Sequence, residues 1–411
     1  MPGRENRGSL TGAAWSRQFG GHNRAAQRNR PLDSHSQRIA YFPALTGLRG
    51  VAAGAVLLFH LWQFGGQPEW RLLGYPLHGL AQCGYLGVDL FFVLSGFLLG
   101  LPFLAAVRGL RPWPGLGTYI VRRARRVLPA LWVQIVLLCA IGWVVSGAPP
   151  FGLRTALLHG LFLQHLARDA GVVNPVYWTL PVEWWFYFTL PLLALGFRWL
   201  RWWVLLAGVL LFVLLFRLWC AEWLAAGRWD IGFNYGSIMH LRARYDEFFL
   251  GVLAAWFHLA APGASRARGL FAALALAGLL ALVPSLSARG DLFVRADYPW
   301  VLAHYTVVGT LLAGLVWGAA GGVRWLDALF ANRFVAWLGL ISYSLYLWHW
   351  PVLSALHGQG WFEPGSRVAG VVLALGGALF VSWLSYRFVE RPFLQEYAAN
   401  GRTAPARAAE V

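Results

Sequence analysis

The sequence predicts an all-α polytopic integral membrane protein of about ten transmembrane helices, with one additional short re-entrant or interfacial helix. Three observations carry this. Of 411 residues, 58% are hydrophobic and only 12% are charged, whereas a soluble protein is roughly 25% charged. From residue 41 the apolar residues fall into stretches of about 20, the length that crosses a bilayer as a helix. The chain also holds 24 Trp, a residue that collects where lipid meets headgroup.

Taken in order, residues 1–40 are polar, rich in Arg, Gly, Asn and Ser, and lack an apolar core of signal-peptide length. They read as a disordered basic cytoplasmic arm. A transmembrane domain follows over 41–393, with spans expected near 44–63, 83–106, 128–146, 178–197, 203–223, 243–260, 269–286, 299–320, 334–356 and 368–388. A short cytoplasmic tail, 394–411, ends the chain. The stretch 151–166 is interrupted by Arg154, His159 and His165. If it does not cross, ten Arg beyond residue 170 lie inside and six outside; if it crosses, the ratio inverts. The positive-inside rule therefore favours ten spans, both termini in the cytoplasm, and 151–166 re-entrant or interfacial. No internal repeat and no soluble domain is evident.

The 34 basic residues, all Arg, outnumber 17 acidic ones for a formal net charge of +17. Such a balance can signal nucleic acid, but these residues flank apolar runs, so bilayer orientation explains them and no nucleic-acid partner is expected. Cys83, Cys139 and Cys220 are scattered, with neither a disulfide framework nor a metal spacing.

A charge at bilayer depth costs on the order of 3 kcal/mol, so each ionisable residue in a span is a functional candidate. Arg49 and His60 stand eleven residues apart in the first span, roughly 16 Å along the axis and nearly on one face. Asp89, Glu183 and His349 enter from other spans at a depth resembling that of His60. Together they predict a shared polar cavity. A histidine beside a carboxylate makes a base that works near neutral pH, so His60 with Glu183 or Asp89 could take a proton from an acceptor hydroxyl. Metal binding by His60, His349 and a carboxylate is the rival, but no HxxxH or HxxE spacing supports it and no metal is assigned. The run Arg122, Arg123, Arg125 and Arg126 anchors topology and also suits a phosphate clamp.

Several motifs occur in register: Arg49-x10-His60; the run Gly87 to Phe97 through Asp89 and Ser95; the Arg run ending at Pro129; Trp178 to Tyr187 through Glu183; Ser342 to His349; and Tyr386 to Pro392. On these the chain resembles the membrane-bound acyltransferase family 3, whose members acylate sugars, glycolipids and some antibiotics. The resemblance covers 41–393. It implies His60 as catalytic base, Arg49 as its motif partner, and Glu183 and Asp89 as further catalytic candidates. Arg122, Arg123, Arg125 and Arg126 would meet the phosphates of a cytoplasmic acyl-CoA, most often acetyl-CoA, as co-substrate. Trp178, Tyr343 and His349 would contact the acceptor, a carbohydrate or glycolipid hydroxyl. No tightly bound cofactor is implied, and the setting is a bacterial-type plasma (inner) membrane.

Two positions depart from the family pattern: Pro181 stands where Ser is common, and Trp184 where a second acidic residue is frequent. An acyl-enzyme carried by Ser95 or His60 is a variant of the mechanism, although a mid-span Ser more often bonds its own helix. The alternatives are a transporter or flippase of a glycolipid or acyl group without covalent chemistry, a sensor or scaffold, and acylation of a small secondary metabolite. The absence of paired repeats argues against a transporter.

Overall fold

The computed structural model describes residues 42–167, 170–225, 240–263, 265–289 and 298–400. The expected basic arm and the end of the tail, 401–411, lie outside them. The architecture is helical, with a single antiparallel pairing of two-residue strands, Arg71–Leu72 and Tyr75–Pro76, among the described residues.

Helix α1 (Pro43–Phe64) starts on Pro43 at its first turn, where the missing N–H breaks no helical bond. A short α2 (His78–Gln82) leads into α3 (Leu86–Val107). The 31-residue α4 (Leu116–Ser146) is about 46 Å long at 1.5 Å per residue, so its Arg-bearing start outruns the ~30 Å apolar layer. The C-terminal half of α4 presents apolar side chains outward, Val144 being 84% exposed, as a lipid-facing surface does. Then come α5 (Leu153–Gly160), α6 (Thr179–Trp199), α7 (Trp202–Ala225), α8 (Leu241–Ala260), α9 (Arg266–Arg289) and α10 (Tyr298–Ala320). Short α11 (Arg324–Phe330) and α12 (Arg333–Leu340) precede α13 (Ser342–Gly358) and α14 (Arg367–Ser385). A π-helical turn, Tyr386–Glu390, joins α14 to α15 (Arg391–Asn400).

Eight helical segments are long and apolar enough to cross a membrane. Two further expected spans correspond to α8, which carries Arg242, Arg244, Asp246 and Glu247, and to α13. Helix α5 has eight residues, about 12 Å, so the stretch 151–166 is too short to cross. The expected continuous span 334–356 is corrected: the helix breaks at Ile341 between α12 and α13. The cause is the approach of α12 to α1, where a Cβ on Gly339 would stand 2.0 Å from the Thr46 carbonyl oxygen.

Close helix crossings hold the centre. A Cβ on Gly87 of α3 would lie 2.2 Å from the Ala52 carbonyl of α1. On the other flank of α3, a Cβ on Gly96 would lie 2.0 Å from the Phe248 carbonyl of α8, and one on Gly251 would lie 2.1 Å from the Val93 carbonyl. Small residues at crossings are how helices gain packing where lipid removes the hydrophobic drive. The α1–α3–α8 stack places His60, Asp89 and Arg244 around one space.

Candidate active site

A cavity of about 200 Å³ opens between the C-terminal end of α1 and the N-terminal ends of α3 and α8, with His60, Asp89, Trp178 and Arg244 in its wall. Aromatic rings from Phe59, Tyr85, Tyr305, Tyr346 and Trp350 complete it, and Gln63 adds an amide. Ring faces beside a few polar groups suit an amphiphilic ligand with hydroxyls.

His60 does not sit against a carboxylate as the sequence suggested. Its partner is His349: Nε2 of His349 lies 3.0 Å from Nδ1 of His60, and the two rings stack at 5.0 Å. Nδ1 of His349 lies 2.9 Å from the Leu345 carbonyl. That oxygen can only accept, so Nδ1 carries the proton and Nε2 of a neutral His349 is an acceptor. His60 therefore donates from Nδ1, which leaves its Nε2 as an unprotonated basic nitrogen. His349 is buried behind His60 rather than in the cavity wall.

The position of His349 is set by a proline. Pro351 has no N–H to give the Leu347 carbonyl four residues earlier. Two amides take that place: Nε2 of Gln134 at 2.8 Å and Nδ2 of Asn174 at 2.9 Å. The Tyr177 hydroxyl donates to Oε1 of Gln134 at 2.5 Å, so α4 and the segment before α6 clamp α13 beside His349. Tyr343 ties α13 to α4 through the Val127 carbonyl at 2.8 Å and does not line the cavity.

Asp89 is bound to Arg244, Oδ1 to Nη2 at 2.8 Å, and Nε of Arg244 lies 3.0 Å from Glu247. The guanidinium also stands 3.6 Å from the Tyr305 ring centre, a cation–π contact. Next to it, Arg217 of α7 pairs with Asp246 at 3.0 Å and bonds the Ala243 carbonyl. All five charges are buried. Arg217 and Arg244, with Asp246 and Glu247, are missing from the site the sequence predicts. The rule that marks Asp89 applies equally to Arg217 at mid-span and to the acidic pair of α8. In the sequence Arg244 counts only as a topology charge.

Glu183 faces a second, separate cluster. Its Oε1 accepts from the Ser95 hydroxyl at 2.6 Å, which corrects the expectation that Ser95 bonds its own helix. Glu183 and Glu390 are the carboxylates whose charge acts on Arg49, and Arg123 and Arg126 are its basic neighbours. Glu390, in the π-helical turn, is buried and accepts from Ser344; such turns are frequent at functional sites. The Arg run divides accordingly. Arg123 and Arg126 face Arg49 across the interior, while Arg122 is exposed and neighbours Arg111. Arg49 and His60 thus serve two clusters at opposite ends of α1. Among the described residues, no group of three or more His, Cys, Asp and Glu is arranged to hold a metal.

Residues 42–387 match the family model of an acyltransferase domain. The chain belongs to the acyltransferase 3 family. It is 24% identical over 386 residues to Peptidoglycan O-acetyltransferase OatA of Listeria monocytogenes, a match over 86% of this chain and 56% of that protein. It is 26% identical over 373 residues to Nodulation protein 10 of Rhizobium leguminosarum bv. viciae, over 85% of this chain and 92% of that protein. The chain thus spans little more than half the length of the Listeria relative. No solved structure gives a significant match.

Proposed function

We propose that this chain is an integral-membrane O-acyltransferase that moves an acyl group, acetyl in the simplest case, from acyl-CoA to a hydroxyl of a carbohydrate or glycolipid. The observation that carries the reading is the His60–His349 pair in the wall of an aromatic cavity: a hydrogen-bonded imidazole with its free Nε2 beside a space suited to a hydroxylated ligand. His60 takes the acceptor's proton as general base, and His349 fixes its tautomer. Arg122 and Arg125 meet the phosphates of the coenzyme, whose highly charged head stays in water. The Arg-bearing end of the bundle then faces the cytoplasm, together with both termini, and the cavity faces the other side. The acyltransferase family and the O-acetyltransferase relative support this reading.

The test is transfer of radiolabel from acetyl-CoA by the purified full chain to peptidoglycan fragments and to membrane glycolipids. Wild type should label one of them and His60→Ala should not. Undiminished transfer by His60→Ala would remove the base assignment. Arg122→Gln with Arg125→Gln should raise KM for acetyl-CoA and leave kcat close to wild type.

A further inference from the structure

The Ser95–Glu183 pair is a second reactive constellation that the His60 cavity does not use. Ser95 and Asp89 share α3 but are six residues apart, about 9 Å along its axis, and neither Ser95 nor Glu183 lines the cavity. A serine hydroxyl held at 2.6 Å by a carboxylate is the arrangement of a nucleophile and its base. Tyr187, one turn further along α6, lies against the same carboxylate. Facing the pair are Arg49, Arg123 and Arg126. Among the described residues these three make no close ion pair or hydrogen bond, and Nε of Arg123 is buried without a partner. Unpaired guanidinium groups inside a membrane bundle are costly to keep, and they are suited to a developing negative charge.

Resting on the acyl-CoA reading above, we propose that Ser95 is a covalent acyl carrier: the donor half of the reaction occurs at Ser95 and the acceptor half at the His60 cavity. In the first half, Ser95 Oγ attacks the thioester carbonyl and its proton passes to Glu183. The carbonyl oxygen's charge is met by Arg49 and Arg123. The C–S bond breaks and CoA leaves as a thiolate past the Arg groups, taking its proton from water. In the second half, His60 takes the acceptor's hydroxyl proton and the acceptor oxygen bonds the acyl carbon. The Ser95 Oγ–C bond breaks, Oγ recovers its proton from Glu183, and His60 releases the other proton to the cavity.

The experiment needs no acceptor. Full-length protein in detergent is mixed with labelled acetyl-CoA, and both CoA thiol release and covalent label are followed. Wild type should release a burst of thiol equal to the protein present and carry label on Ser95. Ser95→Ala should give neither, and Ser95→Cys should carry the acyl group as a hydroxylamine-labile thioester. His60→Ala should keep burst and label while losing transfer to acceptor. A wild type that binds acetyl-CoA without burst or label, label on a residue other than Ser95, or full transfer by Ser95→Ala overturns the carrier and leaves the acyltransferase reading standing. A folded wild type that neither binds nor consumes acetyl-CoA overturns both.

Discussion

The carbonyl of Leu347 is freed by Pro351 one turn later, and two side-chain amides from outside the helix occupy it. A proline that would weaken an isolated helix becomes the point where α13 is fastened to α4 and to the segment before α6. The helix therefore carries His349 in a fixed register, two residues from the fastening.

Gln134→Leu removes one of those donors and strands the Tyr177 hydroxyl. An unsatisfied buried polar group costs about 1–3 kcal/mol. Thermal melting in detergent should show a lower transition for Gln134→Leu. With Asn174→Ala added, the loss should grow and activity should fall, because His349 is then free to shift.

Asp89 and Arg244 form a buried ion pair at 2.8 Å. Removing one partner leaves the other charge uncompensated, at a cost of about 3–5 kcal/mol. Asp89→Asn should be poorly stable in a melting experiment, and Arg244→Gln more so, since it leaves both Asp89 and Glu247 unpaired. The double variant Asp89→Asn with Arg244→Gln should be less damaging than the sum of the two, as a coupled pair requires.

His349 orients His60 without touching the cavity. His349→Ala should lower kcat and leave KM for acetyl-CoA near wild type, because the base loses its tautomer but the donor site is intact. The loss should be smaller than the roughly 10²–10⁴-fold effect of removing a general base, and His349→Gln should restore part of it. An unchanged kcat would leave His349 a packing residue.

At the entrance of α8, His240 meets His165 edge to face at 5.1 Å. Burial, then the His165 ring and Arg242, hold the His240 imidazole down to about 4 from its usual 6.5; burial and Arg242 lower His165 as well. The opened state binds protons more readily, so the pair's contribution is complete above about pH 6.5 and is lost as pH falls toward about 4. Hydrogen exchange in residues 161–167 should therefore accelerate between pH 7 and pH 5, and His240→Gln should flatten that dependence.

Much of this protein is legible in its sequence because bilayer physics acts on one residue at a time. Apolar length marks the spans, and a histidine or aspartate inside one marks a candidate whatever it touches. Partner choice is a different matter. Nothing in the spacing of His60 says that it meets His349 and not Asp89, since that depends on how far α1 and α13 rotate about their own axes. Glu183 shares an approximate depth with His60, yet its turn of α6 faces Ser95. Arg217 is the opposite case: the rule that marks Asp89 marks it too, and only its place in a long apolar run, away from every motif, hides it. Gln134 is invisible for a further reason, as its role exists only because Pro351, 217 positions away in sequence, frees a carbonyl for it.

The pairing of two neutral imidazoles also sets a rhythm for the chemistry. A histidine–carboxylate couple carries a resting charge of −1 that burial must hold in place; this couple rests at zero and needs no counter-ion in the low-dielectric wall. It becomes charged only while it holds the acceptor's proton. With no anion bonded to it, that state is uphill and short-lived. Deprotonation and acyl capture should therefore be nearly simultaneous, so that an acceptor hydroxyl is activated only when an acyl group is already within reach.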